Sequence, residues 1–354
     1  MRAQEINPAK LAMLFRKEFQ MCNVKEGETI AILSDIATRR DFVMASFAAA
    51  EDLGANIYEV CVNEVPSWVR VGIETVGACS GTVQAFEAAD MLVCLHVPLF
   101  TKWMKQVRNS GTRVLMIIDH PDDLEKLLAP PGLKEAVIHS GKRLEETKHI
   151  RVVSEAGTDL SYECGEYPTM IQYGFADEPG RFDHWGAGHV HTFPNEGSAN
   201  GAVVIQPGDL CVLPYNRYIQ DEIQIEVRDG IIRKIDGGLD AKLMNYFLDD
   251  NKRHEDDLDG HALSHLGWGL NPQSRWDALA LYGDDPDRTY ASARTFAGNY
   301  LFSTGPNNEG GGTRDTKGHY DVPMRDCTIM LDNDVIIEKG VIKDKNMAVE
   351  RIPR

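Results

Sequence analysis

The stretch Met91-Leu92-Val93-Cys94-Leu95 is short and continuously apolar, which is typical of a strand buried inside a sheet. Comparable apolar runs recur in the first half of the chain, at residues 29–33, 57–62 and 113–118. Helical patterns separate them: Asn7 and Pro8 suit the cap and first position of one helix, and Asp41 suits the cap of another. Alternating strands and helices predict a mostly parallel sheet covered by helices. We therefore expect a Rossmann-like α/β domain over residues 1–150.

The chain is acidic, and its sequence predicts neither a signal peptide nor a membrane span. Its 354 residues include 37 Lys and Arg against 54 Asp and Glu, a formal net charge of −17. This balance argues against nucleic-acid binding, which depends on clustered basic side chains. The N-terminus lacks the apolar run of a signal peptide, and the longest apolar stretches have about ten residues, too few for a membrane span. The seven cysteines never form a C-x-x-C pair, which predicts reduced thiols in a cytoplasmic protein.

The second half has a different pattern. Residues 151–154 and 160–163 flank a Gly-Thr-Asp turn, and residues 223–227 and 231–235 flank Asp229-Gly230. Both arrangements are typical of β-hairpins. We therefore expect an α+β domain with a mostly antiparallel sheet over residues 151–354. No G-x-G-x-x-G or Walker A sequence is present to indicate a nucleotide, and serine-hydrolase, H-E-x-x-H and kinase signatures are absent as well.

His319-Tyr320-Asp321 is the first of three histidine groups that compete for a chemical role. On a strand, residues two apart point to the same face, so this imidazole and carboxylate would converge on one point. A 2-His-1-carboxylate iron site takes two of its ligands in this way. His265, in a Gly-rich and aromatic segment, is the best third ligand. The pattern alone leaves open a surface His and Asp at 319 and 321 and a core histidine at 265.

The other two groups have alternatives of their own. Gly188-His189-Val190-His191, followed by Glu196, resembles part of the cupin metal box, but nothing supplies the second half of that box. The plainer alternative is a strand with two histidines on one face, which could still line a pocket. Asp183-His184-Trp185 suggests an acid/base unit in which a carboxylate orients an imidazole, or else an ordinary loop.

Several second-half motifs taken together resemble one family, the 2,5-dihydroxypyridine 5,6-dioxygenases, whose fold is similar to that of aminopeptidase T or leucyl aminopeptidase. The motifs are residues 173–185 (YGFADEPGRFDHW), 193–196 (FPNE), 264–270 (SHLGWGL), 298–307 (GNYLFSTGPN) and 319–325 (HYDVPMR). The resemblance extends from about residue 151 to 335 and continues through the first half at residues 87–90 and 111–113. It implies that the second domain carries the metal site.

The resemblance implies a mononuclear non-haem Fe(II) held by His265, His319 and Asp321, with open positions for substrate oxygen and O2. It implies an extradiol-type dioxygenase that opens a hydroxylated pyridine or related aromatic ring, in the manner of 2,5-dihydroxypyridine to N-formylmaleamate. His184 would be the catalytic base, and the protein would be a homo-oligomer. The residues expected to contact substrate are Phe100, Gln172, His189, His191 and Ser303.

This chain departs from the family pattern at some of these positions. The family has a histidine where an ungapped match places Phe100, a glutamate where it places Gln172, and apolar residues where His189 and His191 stand. Metal ligands kept among changed neighbours suggest the same chemistry on a different ring.

A dinuclear metallo-aminopeptidase is the first alternative, with Glu196 as its first glutamate. This alternative would lack ligands, because His265 stands at the second glutamate and the additional histidine position falls at residues 300–302. The second alternative is a non-catalytic metal-binding or ligand-binding relative.

Overall fold

The computed structural model describes residues 7–63, 71–282 and 290–353. Its helices, in chain order, are α1 Pro8–Met21, α2 Arg40–Asp52, α3 Ser80–Glu87, α4 Lys102–Asn109, α5 Pro121–Leu124, α6 Leu133–Glu146, α7 Leu239–Asp250, α8 Ala278–Tyr282 and α9 Tyr290–Arg294. None of the helices in the described part of the chain has the length and hydropathy that a membrane crossing requires.

The strands are short, as is usual where many of them build several sheets. In chain order they are β1 Thr29–Asp35, β2 Asn56–Val62, β3 Met91–Cys94, β4 Arg113–Met116, β5 His149–Val153, β6 Asp159–Glu163, β7 Met170–Gln172, β8 Phe182–His184, β9 His189–Thr192, β10 Asn200–Ile205, β11 Leu210–Cys211, β12 Arg217–Tyr218, β13 Ile223–Arg228, β14 Ile231–Gly237, β15 Leu266–Gly269, β16 Tyr300–Ser303, β17 Asp321–Met324, β18 Thr328–Leu331, β19 Asp334–Glu338 and β20 Val341–Ile342.

The chain divides into two compact units. The first consists of the described residues within Met1–Ala129, Gly174–Ala187 and Pro286–Ala291, and the second of those within Pro130–Tyr173, Gly188–Asp285 and Ser292–Arg354. The domain boundary near residue 150 stays a prediction. Helix α6, which that boundary assigns to the first domain, lies in the second unit.

The first unit is built on a five-stranded parallel sheet in the order β2-β1-β3-β4-β8. Strands β1, β3 and β4 are almost fully buried, as their apolar sequences predict. The fifth strand, β8, comes from the later segment around Asp183 and pairs with β4, with His184 opposite Met116. The alternative of an ordinary loop at this segment is therefore wrong; three residues are too few to show a strand period in the sequence.

Helix α1 is held by the cap and the apolar face that its sequence predicts. The side chain of Asn7 accepts a hydrogen bond from the amide of Ala9 at 3.0 Å, and Pro8 begins the helix. The Phe15 ring packs at 5.5 Å from Phe42 and 5.3 Å from Trp185, measured between ring centroids. These contacts place the apolar face of α1 in the core of the first unit.

The predicted cap of α2 was wrong. The helix begins at Arg40, so Asp41 lies inside the first turn instead of preceding it. Its carboxylate pairs with Arg39 at 2.6 Å. Negative charge in a first turn is still favourable, because it faces the positive end of the helix dipole.

The second unit contains the antiparallel sheets that the hairpin patterns predict. An eight-stranded sheet runs β14-β13-β10-β6-β5-β18-β19-β20, and a five-stranded sheet runs β17-β16-β15-β9-β7. Small residues let α6 approach the smaller sheet: a Cβ at Gly141 would lie 2.6 Å from Ile171, and Ser140 accepts a hydrogen bond from the Trp268 indole at 2.9 Å. The predicted fold class, a parallel α/β part followed by an antiparallel α+β part, is confirmed.

Candidate metal centre

Three neighbouring strands of the five-stranded sheet bring the candidate ligands together. β16 lies between β15 and β17. His265 directly precedes β15, and Asp321 begins β17 opposite Ser303, the last residue of β16. The amide of Ser264 donates to the carbonyl of Ser303 at 2.9 Å, so the segment before β15 continues alongside the end of β16. Strand pairing therefore places residues 265 and 321 at the same end of one sheet.

His265, His319 and Asp321 are buried, and each offers a ligand atom within 4.8 Å of the others. The imidazole rings of His265 and His319 are 5.2 Å apart between centroids. His319 precedes β17 and is not part of it, so the strand alternation used to predict convergence does not apply to this pair. The loop before β17 turns the imidazole toward the same point.

The donor set fits a metal ion. Asp321 Oδ1 is buried and accepts no hydrogen bond from the described residues, and it lies 3.8 Å from His265 Nε2. His319 Nδ1 lies 2.7 Å from the carbonyl oxygen of Thr304. Because a carbonyl only accepts, Nδ1 carries the proton and Nε2 keeps the lone pair that a metal needs.

Arg294, which the sequence reasoning missed, lies in the middle of this group. Its guanidinium donates from Nε to Asp321 Oδ2 at 2.9 Å, from Nη1 to His189 Nε2 at 3.0 Å and from Nη2 to His265 Nε2 at 2.9 Å. One lone pair cannot serve two partners, so a metal ion on His265 requires this last bond to open. The small residues before Arg294, residues 291–293, are the only local sign in the sequence that it is buried.

His189 and His191 lie on β9, beside β15, with both rings on one side of the strand. Their rings stack at 5.2 Å, and His191 is 5.0 Å from the His265 ring. Gly267 allows this approach, since a Cβ there would lie 2.0 Å from the carbonyl oxygen of Val190. The plainer alternative from the sequence, two histidines on one face of a strand, describes what is found, and they adjoin the candidate ligands.

Burial keeps the imidazoles of His191, His265 and His319 neutral. It lowers the pKa of His191 to about 3, with a smaller contribution from the Arg294 guanidinium. Burial also lowers the pKa of His265 well below its usual value, helped by His191, Arg294 and His319. The pKa of His319 falls for the same reason, although Asp321 opposes the shift. Neutral imidazole is the form that binds metal ions.

Two further residues expected to contact substrate lie in the same unit. Ser303 donates from Oγ to the carbonyl of His265 at 2.6 Å, which ties the end of β16 to the ligand-bearing segment. Gln172 ends β7, is buried and stands opposite His189 across the β7–β9 pair. Contact with substrate stays a prediction for both.

His184 and Phe100 lie in the first unit. His184 ends β8, its side chain is buried, and its amide donates to Asp183 Oδ1 at 2.9 Å. Phe100 is buried and has a positive φ of 59°, a conformation uncommon for a bulky residue. The catalytic role of His184 and the substrate contact of Phe100 stay predictions.

Glu196 has partners other than the candidate ligands. Its carboxylate accepts from Arg314 at 2.6 Å, from the Tyr167 hydroxyl at 2.7 Å and from Asn307 at 3.0 Å. It is not part of the metal-binding group, which among the described residues has three members. A two-metal aminopeptidase site is therefore not favoured.

Comparisons of the sequence with known proteins match one family over nearly the whole chain. The 2,5-dihydroxypyridine 5,6-dioxygenase family profile matches residues 10–344. The chain is 35% identical over 346 residues to the 2,5-dihydroxypyridine 5,6-dioxygenase of Pseudomonas putida KT2440, covering 95% of this chain and 96% of that protein.

Two solved structures share the fold. The 2,5-dihydroxypyridine dioxygenase from Pseudomonas putida KT2440 superposes with a TM-score of 0.90 at 33% identity, covering 97% of this chain and 100% of that one. AmpT from Thermus thermophilus superposes with a TM-score of 0.64 at 12% identity, covering 95% and 99%. The resemblance inferred from the sequence motifs is confirmed: the chain belongs to the 2,5-dihydroxypyridine 5,6-dioxygenase family.

Proposed function

We propose that this protein is an Fe(II)-dependent, extradiol-type dioxygenase that opens a hydroxylated pyridine ring. The reaction would add both atoms of O2 to a ring such as 2,5-dihydroxypyridine and give an N-formylmaleamate-type product, which balances without a further reductant. The observation that carries the proposal is the buried His265–His319–Asp321 group in a chain of this family. Two imidazoles and a carboxylate suit ferrous iron and leave other positions open.

A ferrous ion bound there would supply Lewis acidity toward the substrate hydroxyl and an electron source for O2. The chain's own groups orient the ligands: the Thr304 carbonyl fixes the tautomer of His319, and Arg294 holds one oxygen of Asp321. Burial excludes water from the group, which favours charge interactions with an anionic ring. Arg294 supplies the positive charge that such a ring would require.

The remaining roles follow from the same proposal. The residues that would contact the substrate are Phe100, Gln172, His189, His191 and Ser303. His184 would take the hydroxyl proton as the base. We also propose a cytoplasmic homo-oligomer, which size-exclusion chromatography with light scattering would test.

Anaerobic titration of the metal-free protein with Fe(II), followed by oxygen uptake with a panel of hydroxypyridines, tests the function. Stoichiometric uptake of O2 with loss of the ring absorbance is expected for at least one ring. Hydrolysis of leucine p-nitroanilide by the Zn(II) or Co(II) protein, without oxygen uptake, would instead indicate a peptidase. Metal binding with neither activity would indicate a binding protein, and either result would contradict the dioxygenase.

A further inference from the structure

One arginine, Arg314, holds the loop that precedes His319. This loop, residues 305–318, connects β16 to β17, and we refer to it as the 305–318 loop. Its base is narrow: the Thr304 amide donates to the Tyr320 carbonyl at 2.9 Å, and a Cβ at Gly305 would lie 2.4 Å from the Gly318 carbonyl oxygen. The position of His319 therefore depends on how this base is held.

Arg314 donates hydrogen bonds to four other residues. Its amide donates to Asn307 Oδ1 at 2.8 Å, which closes the loop on itself. Its side chain donates from Nε to the Gly305 carbonyl at 3.1 Å and from Nη2 to the Leu263 carbonyl at 2.8 Å. Nη1 donates to both carboxylate oxygens of Glu196, at 2.6 and 2.8 Å.

One of these four residues lies near a candidate ligand along the chain, and another lies next to the residue that orients a second ligand. Leu263 lies two residues before His265 and forms an isolated bridge with Thr304. Gly305 follows Thr304, whose carbonyl oxygen accepts a hydrogen bond from His319 Nδ1 at 2.7 Å. A single guanidinium thus links the segment bearing His265 to the neighbour of Thr304, the residue that orients His319.

The charge and burial of Arg314 and Glu196 favour an ion pair with a fixed geometry. The Arg314 side chain is 12% exposed and that of Glu196 is 55% exposed, so the guanidinium is the enclosed partner and the carboxylate is open to solvent. Because Nε and Nη2 donate to enclosed backbone carbonyls while Nη1 donates to a carboxylate, an uncharged or shorter side chain would leave enclosed acceptors without a partner. Tyr167 and Asn307 hold the carboxylate from the other side, at 2.7 and 3.0 Å.

We propose that Arg314, anchored by Glu196, is a positioning residue that holds His265 and His319 in the arrangement that metal binding requires. The proposal rests on the metal centre described under the proposed function. Hydrogen-bonded neighbours of metal ligands are worth about 10- to 100-fold in metal affinity. Arg314 does not contact a ligand side chain. It acts through the backbone carbonyls of Leu263 and Gly305, in the segments that precede His265 and follow Thr304.

Titration of the metal-free full chain with Co(II), followed by its visible absorption bands, tests this role. We expect Arg314→Met to weaken Co(II) binding by about tenfold and to change the band intensities, which report ligand geometry. Arg143→Met is the matched control in the same unit, since Arg143 also binds carboxylates, at 2.8 and 3.1 Å, and among the described residues its side chain forms its ion pairs with Asp344 and Asp334, outside both ligand segments. The control should lower the melting temperature without changing Co(II) affinity.

Arg314→Lys and Glu196→Gln each keep a polar group in place. If Arg314→Met fails to fold, the same Co(II) titration is made with these two variants. Each should weaken Co(II) binding measurably, and wild-type affinity and bands in the folded variants would overturn the role of Arg314. If the wild-type protein itself bound no Co(II), the metal centre would be wrong, which is a different result from an unchanged Arg314 variant.

Discussion

Arg294 donates from Nε to Asp321 Oδ2 at 2.9 Å, while Asp321 Oδ1 accepts nothing from the described residues. The guanidinium thereby reserves one carboxylate oxygen and leaves the other for a metal ion. A carboxylate held in this way would offer a metal ion one oxygen, which would leave a coordination position for substrate or O2.

Replacing Arg294 by Met should separate metal binding from turnover. Removal of the donor that competes for His265 Nε2 should offset the affinity lost when Asp321 is released, so metal affinity should stay near the wild-type value, whereas kcat should fall by about 10- to 100-fold because Asp321 loses its orientation. Metal content and steady-state oxygen uptake measure the two effects. Arg294→Lys keeps the charge but cannot reach three acceptors, so it should also be slow, and full turnover in either variant would contradict the assignment.

Removing any one candidate ligand should abolish metal binding without unfolding the chain. His265→Ala, His319→Ala and Asp321→Ala each delete one of three ligand atoms that lie within 4.8 Å of one another. Metal content by mass spectrometry and circular dichroism check the two parts of this prediction. His149→Ala, at an exposed position on β5, is the matched control. Normal iron occupancy in any ligand variant would remove that residue from the set.

His184→Ala should retain iron and lose most of its turnover if His184 is the base. The side chain is buried at the end of β8, so His184→Gln, which better preserves volume, checks that the loss is not caused by collapse of the strand. Metal content and the pH profile of kcat are the measurements. Unchanged turnover in both variants would reject this role.

Glu18→Gln should make the stability less dependent on pH. Glu18 is buried without a hydrogen bond to the described residues, and burial, with a smaller contribution from Asp183, raises its pKa well above the usual value. The folded state therefore keeps a proton that the unfolded chain releases above pH about 4.3, and stability falls as the pH rises from there to the folded pKa. Thermal unfolding between pH 5 and pH 8 should show a smaller decline for the variant. An equal decline in both proteins would contradict this prediction.

The amino-acid sequence by itself determined the elements and the kinds of ligand. Continuous apolar runs predict buried parallel strands, and Asp229-Gly230 predicts the β13–β14 hairpin, because both signals are local. His265, His319 and Asp321 were recognisable because their motifs resemble those of one family.

Only the tertiary structure decided which distant side chains meet. Pairing of β15, β16 and β17 brings residue 265 beside 321, and the same packing inserts Arg294 among them and sets Arg314 on Glu196. Strand β8 joins a sheet whose other strands lie far earlier in the chain. Such contacts depend on sheet order and register, which arise from the packing of the whole unit and leave no periodic trace in the sequence around each residue.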